Sequence, residues 1–120
     1  KARSGAVMLI EASNLLMIPG RHVAKPGEKS EAPGVELEPA EMEVNILKDL
    51  PEFYKAALRL HDAATQALTA IDGKNPNKLF ELGETIEMAC EHCHSRYWYP
   101  NEKIPDFPTS APTAAPATTP

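Results

Sequence analysis

The apolar positions fall into blocks divided by prolines and glycines, and their spacing is helical. Gly5–Met17 is apolar on nearly every side, apart from Glu11, Ser13 and Asn14. Its length and composition predict a buried helix, with Ser4 as candidate N-cap and Pro19-Gly20 as the stop. Arg21–Pro39 holds Pro26, Gly27, Pro33 and Gly34 and reads as a loop, longer than most in a compact domain. A helix follows over Glu41–Leu50, and Pro51 is suited to the first position of the next one. There Phe53, Ala57, Leu60, Ala64, Leu68 and Ile71 recur at steps of three or four and form one apolar stripe, ended by Asp72-Gly73. Asn75-Pro76 opens a last helix whose inner face carries Leu79, Leu82, Ile86, Cys90, Cys93 and Tyr97. Trp98-Tyr99-Pro100 ends it.

No strand alternation and no internal repeat interrupts this pattern. The expected fold class is all-α, an antiparallel helical bundle with short hinges and one long connector. Residues 1–100 make the folding domain. Residues 101–120 are low-complexity Pro, Ala and Thr, which cannot bury enough apolar surface to order themselves.

Composition sharpens this picture in three places. Six of the 12 prolines fall between Pro100 and Pro120, which leaves only residues 1–100 to fold. A domain that small gains from a staple or a cofactor. The net charge of −5 argues against a general nucleic-acid binder, which carries a basic footprint. The longest apolar run, Ala6–Ile10, is far too short to span a membrane. The charge is uneven: residues 28–52 hold eight acids and two bases. That segment reads as a solvated face. As a docking patch for a basic partner it would act mainly on encounter rate. The chain opens on Lys1, so it reads as a processed chain or an excerpt, with any targeting segment outside it.

The strongest chemical signal is Cys90-Glu91-His92-Cys93-His94. This C-x-x-C-H spacing is the pattern for covalent haem attachment. On a helix, Cys93 lies roughly 60° from Cys90 and His94 roughly 40° to the other side, so all three share one face. Two thiols can then add to the two vinyl groups of one porphyrin, with His94 as proximal iron ligand through its neutral imidazole. Two other readings fit these residue types. A thiol-disulfide protein uses C-x-x-C, but at a helix start after a strand. A zinc site needs four ligands, and His92 points about 160° from His94, so one helix cannot wrap the ion.

A helical chain with this motif near its C-terminal end resembles the cytochrome c-prime superfamily. The runs Cys90–Pro100, Glu11–Arg21 and Ala70–Lys74 are similar to a bacterial c-prime-like subgroup, and the resemblance covers residues 5–100. It implies a four-helix bundle holding one haem c near one end, and a periplasmic address. It also implies a helix ahead of Gly5–Met17, absent or short here, that supplies the distal residue. The position four after the haem histidine, often basic in that family, is Trp98, and the base here is Arg96.

Electron carriers fill the sixth iron position with Met or His, whereas gas-binding haems leave it open. Met8 and Met17 are the first candidates, because their helix is expected beside the haem; Met42, His22 and His61 follow. Met88 shares the proximal helix and His92 faces away. Tyr97, Trp98 and Tyr99 cap the apolar end or pack against the porphyrin, and Arg96 and Arg21 suit haem propionates. Asn14 needs a polar partner if buried.

These residues lead to two functions of different class. One is electron transfer through a His-ligated haem, with a redox partner protein. The other is binding of a small gas such as NO or CO at an open distal site. A thiol-disulfide protein is the remote third. A homo-oligomer is in keeping with the resemblance. No carboxylate pair, nucleophile triad or phosphate loop points to an enzyme.

Overall fold

The computed structural model describes residues 1–103, and the expected 101–120 tail therefore lies almost wholly outside the described residues. Four α-helices make up the fold: α1 (Ala2–Leu15), α2 (Pro39–Lys48), α3 (Leu50–Asp72) and α4 (Pro76–Tyr97). The described residues contain no strand, only an isolated bridge between Pro33 and Glu36. None of the helices is long and apolar enough to cross a membrane.

The helix ends follow from local chemistry. Glu41 accepts from the Glu38 N–H at 2.8 Å, one half of a capping box, and this starts α2 at Pro39. Asn75 Oδ1 accepts from the Lys78 N–H at 3.0 Å and caps α4, with Pro76 in the first turn. One expectation fails here: Ser4 lies inside α1, whose cap is Lys1. Gly73 ends α3, as its sequence position predicts, and the left-handed residue that follows is Lys74, at φ 51°. The Asn75 N–H closes that turn on the Ala70 carbonyl at 2.9 Å.

α3 is the centre of the molecule. α1 packs along one side of it and α4 along another, while α1 and α4 do not meet among the described residues. Arg3 Nε lies 2.9 Å from Asp72 Oδ1, tying the start of α1 to the end of α3, so those helices run antiparallel. The three-residue turn 73–75 makes α4 antiparallel to α3 in the same way.

Alanine explains how one helix serves two neighbours. Phe53, Ala57 and Ala64 of the expected stripe are buried, but so are Ala56, Ala63, Ala67 and Ala70. Ala56, Ala63 and Ala70 recur every seven residues and widen the apolar face beyond a single stripe. Small side chains let the helix axes approach closely. α1 answers with its own small residues, Ala6 and Ser13. Ser13 is fully buried, and its hydroxyl donates to the Ile10 carbonyl at 2.6 Å. At the far end Leu82, Leu79 and Ile86 of α4 pack on Ala67 and Ala70.

The expectation of a helix buried all round is not met by α1. Only Ala6 and Ser13 are buried, and Met8 is 71% exposed. The reason is geometric: α1 has a single neighbour, so a single narrow stripe is covered. Asn14 is exposed and needs no buried partner.

Candidate cofactor-binding site

A cavity of about 720 Å³ opens where α3 begins and α4 ends. That volume falls within the range of small-molecule and cofactor sites, roughly 300–1,000 Å³. α4 contributes Ala89, Cys90, Cys93, His94, Tyr97 and Trp98. Their steps of three, four and one place them on the face predicted from spacing. α3 adds Phe53, Ala57 and Leu60, and α2 adds Met42 and Ile46. The walls between these helices are therefore mostly apolar.

Cys90 and Cys93 are free thiols, one helical turn apart, each partly buried. Burial pushes both upward, with Glu91 and Glu87 adding to the effect at Cys90 and Cys90 adding to it at Cys93. Thiol oxidoreductases depend on the opposite shift, a thiol held below its ordinary value. The motif also sits late in a helix, not at a helix start.

His94 lies against two aromatic rings. Trp98 meets it edge-on at 5.0 Å and Tyr99 at 5.9 Å between ring centroids. Its Nδ1 lies 3.7 Å from Glu91 Oε1. Tyr99 Oη donates to Glu91, 2.8 Å from each carboxylate oxygen. Burial, and then that hydrogen bond to a carboxylate, push the Tyr99 hydroxyl up to about 12.

Tyr97 lines the cavity and is buried, its ring edge-on to Phe53 at 5.3 Å. Its hydroxyl donates to Asp49 Oδ2 at 3.2 Å. Burial first, and Asp49 second, push it up to about 12. Arg96 does not line the cavity. Its guanidinium pairs with the same Asp49 oxygen and lies 5.7 Å over the Tyr97 ring. Arg96 thus supports the wall from behind. Arg21 is also outside, and the basic side chain in the lining is Lys29, beside Glu28, Glu31 and Glu36.

The long connector forms the remaining wall, and its acids stitch it in place. Glu43 of α2 accepts from the Val23 N–H at 3.1 Å and pairs with His22 Nδ1 at 3.0 Å. The Val23 hydrogen bond and then His22 hold the Glu43 carboxyl below its usual value. Glu38 accepts from the Ser30 N–H at 3.1 Å, and Ser30 Oγ donates to Glu36 at 3.1 Å. The Leu37 N–H donates to the Trp98 carbonyl at 2.8 Å, joining connector and α4. The acidic segment is therefore more than a solvated face. Sequence reading missed Asp49, Glu43 and Glu91; the only sequence signal was their place in an acid-rich segment or inside the motif.

The candidate iron ligands separate by position. Met8 and Met17 do not line the cavity. Met42 does, from α2. His22 is held outside by Glu43, and His61, His92 and Met88 are also outside the lining. Among the described residues no group of three or more His, Cys, Asp or Glu side chains is placed to hold a metal ion, so the zinc reading lacks its ligand set. Comparison with protein-family models, with curated proteins and with solved structures gives no match to this chain.

Proposed function

We propose that this chain is a single-haem c-type cytochrome of helical build that carries electrons. The observation that carries the reading is the shared wall: Cys90, Cys93 and His94 line one largely apolar cavity of cofactor size. Two protonated thiols and one imidazole at this spacing form the donor set for a covalently held haem. Cys90 and Cys93 would fix the ring by thioether bonds, and His94 would be the proximal ligand. When bound, the haem supplies one-electron chemistry at iron, and a protein tunes that chemistry through axial ligands, nearby charge and burial. Phe53, Ala57, Leu60 and Ile46 would give the ring its apolar wall. Tyr97, fixed by Asp49, holds the last turn of α4 against α3. Attachment chemistry of this kind, in the family resembled, belongs to the bacterial periplasm. The partner is a redox protein docking at the cavity end, and a homo-oligomer accords with the same resemblance.

A gas-binding module is the second reading, and one residue divides the two. Among the described residues Met42 is the only thioether in the lining, and the neighbouring Ile46, Ala57 and Leu60 offer no iron donor. With Met42 as sixth ligand the protein carries electrons; with Met42 off the iron the site is open to NO or CO.

Absorption spectra of the matured protein, oxidised and reduced, test this. Electron transfer predicts a low-spin spectrum, slow CO binding, and conversion to high spin in Met42→Leu. High-spin iron that takes CO at once in the unaltered protein replaces the first reading with the second. Protein matured beside a control cytochrome yet free of colour removes both and returns the motif to thiol chemistry.

A further inference from the structure

Glu91 occupies the second position of the C-x-x-C-H motif, where the spacing rule itself demands nothing. It is nonetheless held in place. The Trp98 and Tyr99 N–H groups both donate to the His94 carbonyl, at 2.9 and 3.0 Å, so the chain folds back on leaving α4. That reversal returns the Tyr99 ring over the preceding turns and brings its hydroxyl to Glu91, eight residues earlier. The Glu91 carboxylate then stands 3.7 Å from His94 Nδ1, the ring nitrogen on the side away from Nε2.

We propose that Glu91, oriented by Tyr99, is a positioning residue that lowers the reduction potential of the iron through His94. This rests on the haem reading above, since it needs Nε2 as the ligand atom. A carboxylate beside the second nitrogen of a ligating histidine raises the basicity of the ring. A more electron-rich imidazole favours the more positive, oxidised iron. At 3.7 Å the interaction is too long for a hydrogen bond and acts as charge on the ring. The Tyr99 hydroxyl works against it. By donating to the carboxylate it withdraws negative charge from the side that faces His94. The two residues therefore pull the potential in opposite directions. Both the Glu91 and His94 side chains are partly exposed, at 57% and 40%, so salt screens the effect.

The experiment uses the full matured holoprotein and three variants: Glu91→Gln, Tyr99→Phe and the double variant. Spectroelectrochemical titration gives each potential, and thermal unfolding reports each fold. Glu91→Gln raises the potential and Tyr99→Phe lowers it. The double variant matches Glu91→Gln alone, because Tyr99 acts only through the carboxylate. The Glu91→Gln shift shrinks as salt is added. Shifts of one sign in both single variants, or none, with haem still covalently bound, overturn this proposal and leave the haem reading standing. An unaltered chain that matures without covalent haem overturns both.

Discussion

Asp49 and Tyr97 are joined across the base of the cavity: the Tyr97 hydroxyl donates to Asp49 Oδ2 at 3.2 Å, and Arg96 pairs with that same oxygen. Asp49 lies at the junction of α2 and α3, and Tyr97 is the last residue of α4. One carboxylate thus fastens three helices at the end that holds the cysteine motif. Asp49→Ala leaves the buried Tyr97 hydroxyl without its acceptor and should cost about 1–2 kcal/mol. Asp49→Asn keeps an acceptor and should cost less. Urea unfolding checks this, with a lowered midpoint and an unchanged slope.

The alanine face of α3 gives a second expectation. Ala64 is fully buried in the centre of that helix. Ala64→Leu forces a larger side chain into a close helix contact and should destabilise the fold by about 1–3 kcal/mol. Ser13→Ala should stay within about 0.5 kcal/mol, because the Ser13 hydroxyl only returns to its own helix at Ile10. Equal losses in the two variants would contradict close packing at the alanine face of α3.

Tyr97 and Tyr99 set the alkaline limit. Both hydroxyls are held at about 12, against an ordinary value near 10. The folded chain therefore keeps two protons that the unfolded chain releases. Their contribution is complete below pH 10 and is lost as pH rises from about 10 to about 12. Thermal midpoints should fall across that window, and Tyr97→Phe should flatten the fall. Tyrosinate absorbance should show both groups ionising near 12. Ionisation of all tyrosines near 10 would contradict the two carboxylate hydrogen bonds.

The sequence already carried the helices and the motif face, because both rest on local rules. Proline and asparagine marked the start of α4, and steps of three and four placed Cys90, Cys93 and Tyr97 on one side. Other features were not legible, each for a physical reason. Ala56, Ala63 and Ala70 escaped notice because alanine is a weak hydrophobic signal whose role here is to permit close approach. The exposure of Met8 depends on how many neighbours α1 has, which its own composition does not encode. The connector's role as a cavity wall rests on Glu43, Glu36 and Glu38 accepting hydrogen bonds from it, and charge alone reads as solvation. Arg96 was expected at the cofactor, but its partner Asp49 is 47 residues away in sequence. Met42 was one candidate among several until α2 placed it in the cavity wall.

The mass of the denatured chain tests the central claim most directly. The protein is produced in a bacterium with cytochrome c maturation, stripped with acidified acetone, unfolded and weighed, beside the double variant Cys90→Ala with Cys93→Ala. The account predicts one haem remaining on the unaltered chain after stripping, and none on the variant lacking both cysteines. An unaltered chain that unfolds at its bare mass, while a control cytochrome from the same cells keeps its haem, would contradict it.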